Sequence, residues 1–151
     1  GPYQMGKVDQ GVVVLWMAKH FWKKELAYVG YGGTGKQVRD LIHIRDLFEI
    51  IDRQMHQIET FNGQVFNIGG GRKVSASLQE LTTICQEITG NTIPIQSIPE
   101  TRKADIRIYL SDYTKIQTLT GWEPKLSVHQ IMEDIFGWIK DNEKSLKPIL
   151  S

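Results

Sequence analysis

The sequence has one cysteine, no long hydrophobic run and almost no net charge, and each shortage excludes a class of protein. Cys85 has no partner for an internal disulfide, so we expect a reducing, cytoplasmic compartment. The longest apolar run, residues 12–18 (VVVLWMA), is far shorter than the roughly 20 residues that cross a bilayer, so we expect no membrane association. A formal net charge of +1 excludes the broad positive surface that holds nucleic acid nonspecifically.

What is present is typical of one globular domain, because 40% of the 151 residues are hydrophobic and 23% are charged. Helix and strand patterns alternate along the chain, which predicts an α/β fold. The predicted strands cover residues 26–31, 38–42, 64–68, 93–98 and 106–110, and the predicted helices cover residues 10–24, 44–58, 77–90, 112–119 and 127–142.

The helix ends have recognisable sequence signals. Ser77 with Glu80, and Ser127 with Gln130, match the capping box at the start of a helix, and Asp112 is a further candidate cap. The tail after residue 142 is predicted to fray, as chain ends commonly do.

Residues 29–40 (VGYGGTGKQVRD) match two phosphate-binding patterns at once. Gly30, Gly32 and Gly35 fit the dinucleotide pattern G-x-G-x-x-G, and residues 30–36 fit a P-loop except that Gln37 replaces the magnesium-binding Ser or Thr. Both patterns need a helix to begin at the last glycine, so that its free N–H groups face the phosphates. Here the residues that follow alternate as a strand does. We therefore interpret the glycines as a turn between strands, and predict no cofactor-binding residue.

Two further candidate sites have simpler explanations. Tyr3 and Lys7 match the Tyr-x-x-x-Lys pair of short-chain dehydrogenases, but Pro2 and Gly6 oppose the helix that the pair needs. The four histidines show no spacing that supplies three converging metal ligands; they are His20, His43, His56 and His129. We expect no catalytic residue and no metal site in this sequence.

Arg39 and Arg102 are better candidates for binding a ligand. Each lies next to a predicted strand, and each has a nearby acid, Asp40 or Asp105, that can orient its guanidinium group. Planar guanidinium groups suit the two oxygens of a diphosphate. Surface ion pairs have the same spacing and are the simpler interpretation. The spacing alone leaves both open.

Four ordered motifs resemble the C-terminal half of the extended short-chain dehydrogenase/reductases, which are nucleotide-sugar epimerases and dehydratases. They are residues 35–47 (GKQVRDLIHIRDL), 65–71 (VFNIGGG), 102–105 (RKAD) and 119–124 (LTGWEP). The resemblance covers nearly the whole chain. It implies that residues 1–151 are a substrate-binding lobe, short strands interleaved with helices, from which the Rossmann-type NAD-binding half is absent.

The resemblance also implies roles for single residues. Arg39 and Arg102 would bind the diphosphate of a nucleotide-diphosphate sugar, and Asp105 would lie near the ribose. An aromatic residue before the glycines would contact the base, a place for which Tyr31 and Tyr28 compete. Two departures concern Arg45, where the family usually has a helix-capping acid, and Ala104, where it usually has glycine.

The family's dinucleotide loop and catalytic Ser/Thr and Tyr-x-x-x-Lys residues belong to the other half. The resemblance therefore implies a fragment that is inactive alone, with NAD bound only by the full-length protein. A free-standing nucleotide-binding or interaction module without catalysis is the alternative. A lobe without its other half would leave an unpaired edge at residues 64–68 and an uncovered apolar face, so we expect self-association.

Overall fold

The structure is a computed structural model, and it describes residues 2–4 and 11–150. The helices are α1 (Val12–Phe21), α2 (Ile44–His56), α3 (Ile58–Phe61), α4 (Leu78–Thr89), α5 (Thr114–Thr120), α6 (Val128–Asp141) and α7 (Glu143–Leu150), and the strands are β1 (Leu26–Val29), β2 (Val38–Asp40), β3 (Ser75–Ser77), β4 (Ile95–Ile98) and β5 (Ile108–Tyr109). The predicted α/β class is confirmed. In the described ranges, no helix has both the length and the apolar character needed to cross a membrane.

The strands form two small sheets. β1 and β4 pair in parallel, with Leu26 opposite Ile95. β2 is the middle strand of the other sheet, where it runs antiparallel to β3 and parallel to β5. Arg39 is therefore opposite Ala76 on one side and Tyr109 on the other. Because β2 is paired on both sides, the backbone that supports Arg39 is fixed.

The main core lies where α1, α4 and α6 pack against one another. Met17, Cys85, Met132 and Ile135 are completely buried there. Cys85 is buried, and this burial raises the pKa of its thiol to about 12. A second, smaller core contains Ile50, Phe61, Ile116 and Trp122.

Both predicted capping boxes are present. The Ser77 hydroxyl accepts a hydrogen bond from the Glu80 N–H at 3.2 Å, and the Glu80 carboxylate accepts one from the Ser77 N–H at 2.7 Å. Ser127 and Gln130 repeat this arrangement at the start of α6. These reciprocal bonds satisfy N–H groups that a helix start leaves without partners. Asp112 lies before α5, and its carboxylate accepts a hydrogen bond from the Thr114 N–H at 2.9 Å.

Two predictions about local structure are wrong. Residues 64–68, all of them described, form no strand, and Val65 is 83% exposed there. No strand within residues 2–4 and 11–150 lies beside them to pair with, and an alternating pattern alone cannot supply one. The tail after residue 142 is the helix α7 and not a frayed end, because Leu146 and Leu150 are buried in the main core.

One face of α2, extended by Ile58 at the start of α3, is apolar and exposed. Ile44, Phe48, Ile51, Met55 and Ile58 recur at helical spacing and are between 44% and 72% exposed. We call this set the apolar α2 face. A groove of about 330 Å³ adjoins it, lined partly by Ile51, Phe61, Val65 and Phe66. The described residues leave this surface open to solvent.

Candidate functional site

The glycine-rich segment after β1 is a tight turn that leads into β2. Gly30, Gly32, Gly33 and Gly35 have φ between +65° and +85°, a region that favours glycine. At Gly35 a Cβ atom would also come within 2.7 Å of the Tyr28 ring. The chain continues as a strand and not as a helix, so no helix N-terminus faces a phosphate here. The glycine segment is therefore a turn between two strands, as its sequence predicts.

Gln37 has a structural role in this turn. Its side-chain amide donates a hydrogen bond to the Val29 carbonyl at 2.8 Å, which connects the end of β1 to the residue before β2. Gln37 is buried, with an exposed fraction of 8%. Its carbonyl oxygen Oε1 has no hydrogen-bond partner among residues 2–4 and 11–150.

Arg39 is fixed by an acid from a distant part of the chain. Its Nη2 atom lies 2.8 Å from Oδ1 of Asp105, and Nη1 donates a hydrogen bond to the Val38 carbonyl at 2.8 Å. The same Asp105 oxygen accepts a hydrogen bond from the Ile106 N–H at 2.9 Å. These contacts orient a guanidinium group that remains 36% exposed and can still reach a ligand.

Arg102 lies in the loop that contains Asp105. The Asp105 N–H donates a hydrogen bond to the Arg102 carbonyl at 3.0 Å, which closes a short turn between them. Arg39, Arg102 and Asp105 line one open cavity of about 1360 Å³, together with Asp40 and Leu41. Two arginines that are far apart in sequence therefore line the same open cavity, whose wall also includes residues of α1 and β1.

Tyr31 lies against this loop from the side of the glycine turn. The Tyr31 hydroxyl donates a hydrogen bond to the Asp105 carbonyl at 2.7 Å. Tyr31 is not among the residues that line the cavity. Tyr28, its competitor for the base-contacting place, points toward the helices. The Tyr28 ring stacks on Trp16 at 6.0 Å, and its hydroxyl lies 2.8 Å from the Thr82 hydroxyl oxygen. Tyr28 supports the interior, whereas Tyr31 belongs to the cluster around Arg39.

Asp40 and Asp105 do not orient the arginines that are nearest to them in sequence. Asp105 orients Arg39. The Asp40 carboxylate accepts hydrogen bonds from the Gly71 N–H at 2.9 Å and the Ser111 N–H at 3.1 Å. Asp40 thus connects the glycine loop after residue 68 to the segment that follows β5. The alternating direction of side chains along β2 separates Asp40 from Arg39.

His43 has a role that sequence reasoning missed. It is 2% exposed and caps α2, because its Nδ1 atom accepts a hydrogen bond from the Arg45 N–H at 3.0 Å. With Nδ1 as acceptor, Nε2 has the proton and donates to Asp134 at 2.9 Å. The cap is therefore His43 itself, and the missing acid at Arg45 does not leave the helix start uncapped.

The remaining candidates are the four histidines and the Tyr3 and Lys7 pair. In ranges 2–4 and 11–150, no three His, Cys, Asp or Glu side chains converge as metal ligands. Burial lowers the pKa of His20, which favours the neutral form of this imidazole. Lys7, the second member of the Tyr3 and Lys7 pair, lies outside the described residues.

Comparisons with known proteins agree with the fold. A sequence profile of the GDP-mannose 4,6-dehydratase family matches residues 1–135. The chain is 30% identical over 106 residues to CDP-paratose 2-epimerase of Salmonella typhi. The aligned residues make up 70% of this chain and 31% of that protein. The chain belongs to the extended short-chain dehydrogenase/reductases, among the nucleotide-sugar epimerases and dehydratases.

Two crystal structures show the same fold in longer chains. UDP-glucose 4-epimerase with UDP-glucose from Thermotoga maritima has a TM-score of 0.72 and 29% identity, covering 95% of this chain and 43% of that chain. The dTDP-glucose 4,6-dehydratase of Bacillus anthracis, in complex with NAD, has a TM-score of 0.74 and 26% identity, covering 99% and 44%. The chain thus spans about a third of its curated relative and less than half of either solved structure.

Proposed function

We propose that this chain is the substrate-binding lobe of an NAD-dependent nucleotide-sugar epimerase and that its ligand is a nucleotide-diphosphate sugar. The observation that supports this most directly is that Arg39 and Arg102 line one cavity, with Asp105 orienting Arg39. Two guanidinium groups can donate several hydrogen bonds to one diphosphate and offset its charge.

The acid in the cluster has a second role in this proposal. One oxygen of Asp105 is engaged by Arg39 and the Ile106 N–H. Within residues 2–4 and 11–150 no donor bonds the other oxygen, Oδ2, and we propose that it accepts a hydrogen bond from a ribose hydroxyl of the ligand. A carboxylate accepts through both oxygens when ionised, so one acid can orient an arginine and bind a sugar. Tyr31 is proposed to contact the base, since it lies beside Asp105.

NAD would be bound by a part of the full-length enzyme other than these residues, because the glycine turn does not fit a dinucleotide. We propose that the segment is catalytically inactive alone. Residues 9–11, 35–40 and 66–71 resemble the corresponding residues of CDP-paratose 2-epimerase, which we propose as the particular activity. A nucleotide-sugar dehydratase or 4-epimerase is the alternative enzyme. The single buried Cys85 is compatible with a cytoplasmic location.

Calorimetry with CDP and UDP tests the binding proposal. We expect measurable binding to the purified chain and a loss of at least tenfold in affinity for Arg39→Ala and for Arg102→Ala. Arg45→Ala is a matched control, because that side chain is 74% exposed and does not line the cavity. Equal affinity in all three variants would rule out the arginine pair as the diphosphate site.

A free-standing nucleotide-binding or interaction module without catalysis is the second candidate, and a gene that encodes no upstream NAD-binding half would favour it.

The apolar α2 face supports the first candidate. Exposed apolar patches of this kind mark interaction surfaces. We propose that in a longer protein this face is covered by the NAD-binding half, which the relatives' greater length leaves room for. Without that half, the same face would cause the chain to self-associate. Co-expression of this chain with an NAD-binding half from the same protein should then give a soluble complex that Phe48→Glu weakens.

A further inference from the structure

Tyr31 is held in a backbone conformation that tyrosine seldom adopts. Its φ is +49°, and it lies between Gly30 at +85° and Gly32 at +78°. For a residue with a Cβ atom, the left-handed region has an energetic cost, and the surrounding contacts must offset it. Two hydrogen bonds do so here.

Both of these hydrogen bonds lead to the loop after β4. The Tyr31 N–H donates to the Thr101 hydroxyl oxygen at 2.8 Å, and the Tyr31 hydroxyl donates to the Asp105 carbonyl at 2.7 Å. The Gly32 N–H adds a longer bond to the Pro99 carbonyl at 3.3 Å. The glycine turn and residues 99–105 are therefore fastened together at three points.

The packing at the same place is close. A Cβ atom added to Gly30 would lie 3.4 Å from the Thr101 Cα atom and 3.6 Å from the Asp105 carboxylate. Thr101 is directly before Arg102 in the chain, and the carboxylate of Asp105 binds Arg39. A displacement of Thr101 would thus change the positions of both arginines that line the cavity, Arg39 and Arg102.

We propose that Thr101 is a positioning residue for the diphosphate site. Through Tyr31 it fixes the loop from residue 101 to residue 105, and that loop sets the direction of the Arg39 guanidinium and the position of Arg102. Thr101 acts through these residues and needs no contact with the ligand. This inference rests on the proposed binding of a nucleotide diphosphate, and nothing in the sequence motifs assigns a role to the residue.

The test compares Thr101→Val with Thr101→Ser by calorimetry with UDP and CDP. Valine has a similar shape and no hydroxyl, so we expect it to weaken binding about tenfold, or about 1.4 kcal/mol. Serine restores the hydroxyl and so keeps the hydrogen bond from the Tyr31 N–H. We therefore expect its affinity to lie within about twofold of that of the unchanged protein. Thr83→Val is the matched control, because the Thr83 hydroxyl also bonds one backbone group and lies on α4, outside the cavity lining.

A double-mutant cycle separates positioning from a general loss of structure. If Thr101 acts through Arg39, then Arg39→Ala should cost less affinity in the Thr101→Val protein than in the unchanged protein. Additive losses would overturn the inference, as would equal binding by Thr101→Val and the unchanged protein.

Hydrogen exchange supplies a readout without ligand. The Tyr31 and Asp105 amides should exchange faster in Thr101→Val, whereas unchanged rates at both would also overturn the inference. No binding by the unchanged protein would instead reject the proposed function.

Discussion

Arg39 and Asp105 are 66 residues apart in the chain, and their side chains meet at 2.8 Å. The contact joins β2 to the loop before β5, and β2 and β5 are neighbours in the same sheet. Sheet pairing thus brings the arginine and its acid together, although each has a different charged neighbour in sequence. The geometry of the candidate site depends on this pair.

The first prediction concerns Asp105. Asp105→Ala should weaken the binding of CDP and UDP about tenfold, because Arg39 loses the partner that orients it and the ribose loses an acceptor. Net charge alone would predict the opposite, since removing an acid makes the cavity more positive. Calorimetry distinguishes the two, with Asp141→Ala as the control on the exposed end of α6. Tighter binding by Asp105→Ala would contradict an orienting role.

The second prediction contrasts two glycines. A Cβ atom at Gly70 would collide with the carbonyl groups of Leu41 and Val74, so Gly70→Ala should destabilise the protein by about 2 kcal/mol or more. Gly137 lies within α6 with no atom near its added Cβ, so Gly137→Ala should stabilise the protein by about 1 kcal/mol. Urea denaturation of both variants measures the difference. Equal changes in the free energy of unfolding for both variants would contradict a close contact between Gly70 and the two carbonyl groups.

The third prediction concerns pH. The Ser77 N–H and hydroxyl donate to Glu80 and hold the pKa of its carboxyl below the ordinary value of 4.5. A lowered pKa in the folded state means that the stabilisation is present above the unfolded pKa and is lost as pH falls through the folded pKa.

Glu80→Gln should therefore be less stable than the unchanged protein near pH 7, and the gap should narrow in the acid range. Urea denaturation at pH 7 and at pH 3 measures this gap. Glu87→Gln, on the same helix away from the cap, should show no comparable gap at neutral pH. A gap for Glu80→Gln that is equal at both pH values would contradict the role of the charged cap.

The fourth prediction concerns the apolar α2 face. We expect this chain to self-associate at high concentration, and Phe48→Glu with Met55→Glu should abolish the association. Charged side chains on an exposed face make its burial costly but leave the core untouched. Sedimentation velocity over a range of concentrations measures it. Lys140→Glu on α6 is the control, and a monomer at every concentration in the unchanged protein would refute the prediction.

Local signals in the sequence were sufficient for much of the fold. Capping boxes at Ser77 and Ser127 placed the starts of two helices, because those hydrogen bonds join residues three apart. The glycine turn was recognisable because positive φ and a following strand are both local properties. The fraying predicted for the tail failed because the burial of Leu146 and Leu150 depends on distant helices.

The sequence by itself determined where most helices begin, that the glycines form a turn, and which arginines were candidates for a diphosphate. Only the tertiary structure decided that Asp105 orients Arg39, that Asp40 connects two loops, and that Thr101 contacts Tyr31. Each of these contacts joins residues at least 31 positions apart. Spacing along the chain predicts neighbours within a helix or turn, but pairing between distant strands and loops sets contacts such as these.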